Sequence, residues 1–273
     1  MWHWTSDTHF GHANIIKYCK RPFLTNEEVN LCDLAYSGTI PIQEIKVSKK
    51  TVELMDETII FNINKAVDKN DTLVILGDFC IGSDKSLVKS YRDRIKCNNV
   101  FLILGNHDNR EACSDVFSAC YENYLFNIDG QKIFASHYPA RSWNKVGSGA
   151  WMLYGHVHNG LHNEDNGRLS NYERLVYNEG ITAVLQRYGV KKENLINELM
   201  AVIASTKGID LTLDVGVDNV RSGIPFGTPW NMTEVKAYMQ NKIRRKCRRI
   251  LHTFFQFILK YLDRQQYLMI IFG

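Results

Sequence analysis

Two apolar segments of the same design constrain the fold of this chain more than any other feature. Residues 71–78 read Asp-Thr-Leu-Val-Ile-Leu-Gly-Asp, and residues 99–108 read Asn-Val-Phe-Leu-Ile-Leu-Gly-Asn-His-Asp. A helix is predicted between them over residues 83–95, with Ser83 as its N-terminal cap. Strand, helix and strand in this order, with runs that are apolar throughout, predict parallel strands buried on both faces. The chain is therefore predicted to be an α/β protein.

Shorter patterns predict the remaining elements. A hairpin is expected where two apolar strands flank Asp129-Gly130, because Asp-Gly favours the turn that joins adjacent antiparallel strands. Residues 20–50 are expected to be irregular, and residues 161–208 to form an inserted, mainly helical excursion. Further strands are predicted at 2–5, 151–154 and 209–217, and further helices at 13–19, 51–67 and 233–261.

Composition narrows the class of protein. The chain has 273 residues, of which 45% are hydrophobic, enough for a substantial core. No signal peptide is expected at the N-terminus, and no apolar run is long enough for a membrane-spanning helix. The seven cysteines are scattered and lack metal-like spacing, which is typical of reduced thiols. A cytoplasmic protein is therefore predicted.

Five predicted strand ends carry carboxylates, an amide and imidazoles. Each one alone has an ordinary interpretation, such as an exposed histidine, a helix cap or a turn. The carboxyl ends of parallel strands meet at one sheet edge, however, and these side chains would repel one another there without a cation. Oxygen and nitrogen ligands without thiolate suit Mn, Fe, Zn or Mg. The five segments are Asp7-Thr8-His9, Gly77-Asp78, Gly105 to Asp108, Ser136-His137 and Gly155 to His158.

In these five segments the chain resembles the calcineurin-like metallophosphoesterases, and the resemblance covers residues 1–160. The longer stretches SDTHFGHANIIKYCKRPF, SHYPARSWN and LDVGVDN are similar to a bacterial and phage branch of that superfamily. The resemblance implies a four-layer αββα sandwich with mixed sheets. We also predict a metallophosphoesterase domain over residues 1–239, with insertions at about 30–50 and 161–208. A basic amphipathic helical tail over 240–273 lies outside the resemblance.

The resemblance also implies a centre of two divalent cations. Two cations held roughly 3.5–4 Å apart activate a hydroxide for in-line attack on phosphorus and clamp the phosphoryl oxygens. Mn²⁺ is the favoured ion, with Fe, Zn and Mg as alternatives. The first cation is assigned to Asp7, His9 and His158, the second to Asn106, His137 and His156, and the bridge between them to Asp78.

Four further residues are candidates for contact with the substrate. His107 resembles the catalytic histidine of the family, which protonates or stabilises the leaving oxygen. Asp108 is expected to orient the His107 ring and to favour its protonated form. His12 and Arg110 follow metal-binding segments and are placed to reach a substrate phosphate. A loop-packing histidine and a surface arginine remain equal alternatives for these two.

The predicted function is hydrolysis of phosphate mono- or diesters, with nucleotide-like small molecules as the expected substrates. Two alternatives stay open at this stage. One is a metal-dependent nuclease, which the basic C-terminal region favours. The other is a non-catalytic protein-binding scaffold of the same fold, although every motif position of the family is filled here.

The C-terminal tail carries most of the excess positive charge. The net charge is +4, and six of the eight residues over 242–249 are lysine or arginine. Apolar residues at helical spacing predict an amphipathic helix that packs on the domain or on a second copy in a homodimer. Binding of nucleic acid and contact with an anionic membrane surface are the alternative interpretations.

Overall fold

The structure is a computed structural model of the chain and describes residues 1–82, 84–140, 142–159 and 211–242. Within these residues, nine strands form one sheet of five strands and one of four, which confirms the predicted α/β class. The strands are β1 (Trp2–Thr5), β2 (Thr72–Ile75), β3 (Asn99–Ile103), β4 (Ala119–Tyr121), β5 (Asn123–Ile128), β6 (Gln131–Ser136), β7 (Trp151–Tyr154), β8 (Thr212–Asp214) and β9 (Trp230–Asn231).

Both sheets are mixed. The first has the order β4-β3-β2-β1-β9, in which β1 to β4 are parallel and β9 is antiparallel to β1. The second has the order β5-β6-β7-β8, in which β5 and β6 form an antiparallel hairpin and the other pairs are parallel. The predicted parallel strands and the predicted hairpin are both confirmed. Asp129 and Gly130 have φ angles of 51° and 79°, as the expected turn requires.

Helices cover the first sheet on one side. Three residues of the third helix, Met55, Ile59 and Ile63, are fully buried in one cluster with Leu73 and Ile75 of β2. The helices are α1 (Ala13–Tyr18), α2 (Asn26–Tyr36), α3 (Lys49–Ala66), α4 (Lys85–Arg92) and α5 (Arg110–Cys113), with short 3-10 turns at Ile42–Glu44 and Val146–Ser148. Residues 232–242 are also helical.

Aromatic rings join the two sheets on the other side of the first sheet. Trp4 of β1 is fully buried, and the centroid of its ring lies 5.3 Å from that of Phe126 on β5 in an edge-to-face arrangement. Trp2 contacts the same ring at 5.5 Å. Such pairs contribute more than the burial of their area alone. The two sheets, with helices on the outside, agree with the predicted metallophosphoesterase-like sandwich.

The prediction that residues 20–50 are irregular is wrong. Residues 26–36 form α2, which begins with a capping box: Thr25 accepts a hydrogen bond from the backbone of Glu28, and Glu28 accepts one from the backbone of Thr25. The proline and glycine residues of this stretch lie outside the helix. The predicted cap of α4 is also corrected, because Asp84 caps that helix by accepting from Ser86 N, while Ser83 lies outside the described residues.

Several other expectations reach beyond the described part of the chain. The predicted insertion at 161–208 lies outside it, and so does the tail over 240–273 apart from residues 240–242. The domain boundary at 239 therefore stays a prediction. One compact unit comprises Met1–Val146, Ala150–Asn159 and Thr212–Lys236 and contains every functional side chain discussed below. Among the described helices, none has the length and apolarity needed to cross a membrane.

We expect replacement of Glu28 by alanine to destabilise the protein by about 2 kcal/mol, because one carboxylate bonds the starts of two helices. Its oxygens accept from Ser48 N, which caps α3, at 2.6 Å and from Thr51 Oγ1 at 2.8 Å. Urea denaturation measures the change. The matched control is Glu27→Ala, which removes an exposed carboxylate from the same first turn. Equal effects of the two substitutions would contradict this role of Glu28.

Candidate metal centre

The loops after the strands of both sheets meet at one edge of the sandwich. Backbone hydrogen bonds join the first two loops, from Asp7 N to Gly77 O at 3.0 Å and from His9 N to Asp78 O at 2.9 Å. A β-bridge between Ser6 and Gly216 links the end of β1 in the first sheet to the chain after β8 in the second. Segments far apart in sequence are thereby held within a few ångströms of one another.

Among the described residues, four groups of three side chains come close enough to hold a cation, and two of them match the predicted ligands. The other two are His9, Asp78 and His107, and Cys19, His158 and Asp218. In the first matching group, the ligand atoms of Asp7, His9 and His158 all lie within 4.8 Å of one another. In the second, those of Asp78, His137 and His156 do the same. The Oδ2 atom of Asp78 lies 3.4 Å from Nε2 of His9 and 3.4 Å from Nε2 of His137. Asp78 therefore belongs to the second group and also contacts His9 of the first.

Asn106 joins the second group. Its Oδ1 atom lies 3.2 Å from Nε2 of His137, and Nδ1 of His156 lies 3.2 Å from that same nitrogen. His137 is fully buried, and its other nitrogen, Nδ1, contacts the carbonyl oxygen of Leu76 at 2.7 Å. Its Nε2 atom is thus the one directed at Asn106 and His156. All seven predicted ligands are brought together.

These donors suit divalent cations. The side chains of Asp7, His9, Asp78 and His137 are each no more than 2% exposed. The buried Nε2 atom of His9 has no hydrogen-bond partner among the described residues. An unpaired buried nitrogen costs free energy unless another partner binds it. Carboxylate, amide and imidazole donors without a thiolate suit Mn, Fe, Zn or Mg.

Two of these side chains are in the protonation states that metal binding requires. Burial lowers the pKa of His9 to about 2, so this imidazole is neutral at physiological pH. Burial opposes the charge on Asp78, but its hydrogen bond and charge interaction with His137 lower the pKa to about 2. Burial raises the pKa of Asp7 to about 7, against the charges of His158 and His137. A neutral imidazole and an ionised carboxylate are both able to coordinate a metal.

The backbone at the centre is held in an uncommon conformation. Five of the candidate ligands have φ angles between 47° and 70°, in the left-handed region. Such residues cost of the order of 1–3 kcal/mol each and persist only where the surroundings impose them. Asp and His tolerate this region better than most residues do. The five residues are Asp7, His9, Asp78, His156 and His158.

Glycine permits the closest approach of the loops. A Cβ atom on Gly155 would lie 1.8 Å from Ser6 Oγ and 2.5 Å from Asp7 Oδ2, and one on Gly105 would lie 2.3 Å from Asp78 Oδ1. Real Cβ atoms do not approach other atoms this closely. The glycines of the Gly-Asn-His-Asp and Gly-His-Val-His segments are therefore needed so that the carboxylates can occupy the space beside them.

The rings of His107 and His12 lie beside that of His9 in the first group. The ring centroid of His107 is 5.0 Å from that of His9 and 5.6 Å from that of His12. The backbone N–H of His107 donates to Oδ1 of Asp78 at 3.0 Å, which fixes the start of its side chain. Nδ1 of His12 lies 3.4 Å from Nδ1 of His9. Both rings remain partly exposed, so a ligand can reach them.

Asp108 and Arg110 make contacts other than those expected of them. The carboxylate of Asp108 accepts hydrogen bonds from the backbone N–H groups of Asp78, Phe79 and Gly105 at 2.8–2.9 Å. It ties two loops together through these bonds, and its expected role in orienting the His107 ring stays a prediction. Arg110 is exposed and donates to Glu122 instead of reaching the centre. The guanidinium of Arg110 is therefore paired with a carboxylate at the surface.

Sequence reasoning missed two residues that contact the centre from behind. Asp218 lies 2.7 Å from Nδ1 of His158, and Arg21 donates to both oxygens of Asp218. Burial opposes charge on His158, but the hydrogen bond to Asp218 raises the pKa of the ring to about 10. Both residues fall inside stretches that carry the resemblance, Arg21 in CKRPF and Asp218 in LDVGVDN. Without contacts, however, the sequence gives no reason to single them out.

Comparison with known proteins gives the family. The family model for calcineurin-like phosphoesterases matches residues 4–211, and the chain belongs to this family of metal-dependent hydrolases of phosphoester bonds. An uncharacterized protein of Methanocaldococcus jannaschii is 32% identical over 155 residues. That match spans 56% of this chain and 66% of the relative, slightly less than two thirds of its length.

A solved structure is also similar to this chain. It is the crystal structure of a protein of unknown function from Aquifex aeolicus, at 24% identity and a TM-score of 0.40. The match covers 58% of this chain and 79% of that one.

We expect the substitution Gly155→Ala to weaken metal binding at least about tenfold, because the new methyl group must displace Asp7 or Ser6. Isothermal titration with Mn²⁺ measures the affinity. The control is Gly147→Ala, since a Cβ atom at that position meets no other atom within 4 Å and the backbone φ is ordinary. Unchanged affinity in Gly155→Ala would show that the close approach does not matter.

Proposed function

We propose that this protein hydrolyses phosphate mono- or diesters with the help of two divalent cations. The observation that carries the proposal is the arrangement of the ligands in two groups on either side of Asp78. A pair of cations that shares one carboxylate suits displacement at phosphorus, since one cation stabilises the attacking oxygen and the other the leaving oxygen.

In this proposal each side chain has a defined task. Asp78 would contribute its carboxylate to both cations, and its low pKa supports that role. Mn²⁺ is the favoured ion, with Fe, Zn and Mg as alternatives for the same donors. When bound, the cations lower the pKa of water and neutralise charge on the phosphoryl group. The first cation is assigned to Asp7, His9 and His158, and the second to Asn106, His137 and His156.

His107 is the proposed general acid. Its ring is partly exposed beside the first group, and its backbone is fixed by the bond from its N–H to Asp78. From there an imidazolium can give a proton to the leaving oxygen, which makes departure of an alkoxide easier. His12, next to the same ring, is proposed to contact the phosphate. Because Arg110 pairs with Glu122, we assign it no contact with the substrate.

Tyr138 supports a nucleotide-like substrate. Its side chain is 47% exposed, and its ring centroid lies 4.6 Å from that of His156 in the second group. An exposed aromatic ring at this position offers a surface on which a base can stack. The hydroxyl of Tyr138 lies 3.4 Å from Asn106 Oδ1, so the ring is directed across the second group.

We expect His107→Ala to lower kcat by about 10²–10⁴-fold while both cations remain bound, because the variant loses the proton donor and none of the ligands. Nitrophenyl phosphate mono- and diesters with added Mn²⁺ provide the assay, and elemental analysis provides the metal content. The matched control is Arg110→Ala, which removes an exposed side chain paired with Glu122 and is expected to keep kcat.

Two results would contradict these assignments. Unchanged kcat in His107→Ala would exclude the general-acid role. Absence of hydrolysis of either ester by the wild-type protein, with two Mn²⁺ ions bound per chain, would contradict the proposed activity and favour a non-catalytic scaffold. A preference for single-stranded DNA over the small esters would instead favour the nuclease.

A further inference from the structure

A buried chain of charged contacts runs behind His158. Nδ1 of His158 lies 2.7 Å from Oδ2 of Asp218. Arg21 donates from Nε to Oδ1 of Asp218 at 2.9 Å and from Nη2 to Oδ2 at 2.7 Å. The side chains of Arg21 and Asp218 are 0% and 6% exposed. Two parallel bonds between a guanidinium and a carboxylate fix the orientation of both groups.

The same guanidinium also holds the backbone of the first loop. Its Nη2 atom donates to the carbonyl oxygen of Asp7 at 2.7 Å, and Nη1 donates to that of Thr8 at 3.1 Å. Asp7 and Thr8 follow β1 of the first sheet, whereas His158 and Asp218 follow β7 and β8 of the second. One buried arginine therefore fixes two of the three candidate ligands of the first group relative to each other.

The contact with Asp218 selects one tautomer of His158. A carboxylate accepts but does not donate when ionised, so the ring keeps a proton on Nδ1, and Nε2 is the nitrogen that would lose its proton when a cation binds. The lone pair available to a cation is then on Nε2. Carboxylates that bond the far nitrogen of a metal-binding histidine orient the ring and raise its basicity.

The second group is held differently. Nδ1 of His137 contacts the backbone carbonyl oxygen of Leu76 at 2.7 Å, a neutral acceptor where His158 has a carboxylate. Loss of the Arg21–Asp218 pair is therefore expected to disturb one group and to spare the other.

We propose that Arg21 and Asp218 are positioning residues that hold His158 in the Nδ1–H tautomer and fix the loop of Asp7, and that they thereby set the affinity of the first cation but not of the second. This inference rests on the proposed function, because it takes the first group to bind a cation.

The test compares Mn²⁺ binding by the full-length wild-type protein and by Asp218→Asn. Isothermal titration gives the affinities, and electron paramagnetic resonance of Mn²⁺ distinguishes a coupled pair of ions from a single one. For Asp218→Asn we expect one of the two ions to bind 10–100-fold more weakly and the coupled signal to give way to that of a single ion. Arg21→Lys keeps the charge but loses the bidentate hydrogen bond to Asp218, so it is expected to weaken binding of the same ion.

A second histidine–aspartate pair provides the matched control. His3 Nε2 lies 3.0 Å from Asp71 Oδ2 at the opposite, amino-terminal ends of β1 and β2. Asp71→Asn removes the charge from a comparable pair and is expected to leave both ions in place. Equal loss of metal in Asp71→Asn would show that the effect of Asp218→Asn reflects general destabilisation, and would overturn the inference.

Nuclear magnetic resonance of the Zn²⁺-loaded wild-type protein, labelled with ¹⁵N in its imidazoles, tests the tautomer without any substitution. We expect the proton of His158 on Nδ1. A proton on Nε2, or equal affinity for both ions in Asp218→Asn and wild type, would overturn the inference and leave the proposed function standing. Failure of the wild-type protein to bind any Mn²⁺ would instead remove the proposed function, and the inference with it.

Discussion

Burial of carboxylates and imidazoles at the junction of two sheets is the constraint on which the rest of the structure depends. Asp7, His9, Asp78 and His137 are almost inaccessible to water. Ionisable groups are removed from water at a large cost unless charges, hydrogen bonds or cations compensate. Part of the compensation comes from backbone N–H groups, such as that of His156, which donates to Asp7. Cations would supply the rest.

The loops that carry these groups are shaped by the same requirement. Left-handed φ angles at five ligands turn side chains inward at consecutive strand ends, and glycines leave room for the carboxylates beside them. The surrounding contacts impose this geometry. Asp108 binds the two loops of the first sheet through backbone N–H groups, while Arg21 and Asp218 join the loops of both sheets. A strained site thus rests on a rigid surrounding frame.

Local apolar patterns predicted seven of the nine described strands and missed the short strands β4 and β9. The seven candidate ligands followed from the family resemblance of the motifs at the strand ends. Long apolar runs that end in glycine and polar residues identify parallel strands and their carboxyl ends without knowledge of contacts. Helix α2 was missed because its apolar residues form no buried stripe. Four of them are exposed: Val29, Leu31, Leu34 and Tyr36. The capping box of Thr25 and Glu28 at its start was a local signal that the prediction did not use. The hydrogen-bond partners of Asp108, Arg110 and Asp218 could not be predicted from the sequence either. A side chain next to a motif can contact any of several neighbours, and only the folded structure shows which one.

The number and position of bound cations test the central claim most directly. Crystals grown with Mn²⁺ and measured at the manganese absorption edge give the position of each ion. We expect two peaks roughly 3.5–4 Å apart, on either side of the Asp78 carboxylate. One should lie among Asp7, His9 and His158, and the other among Asn106, His137 and His156. Absence of any peak between these side chains, or peaks only elsewhere on the protein, would contradict the assignment of this edge as a dinuclear metal centre.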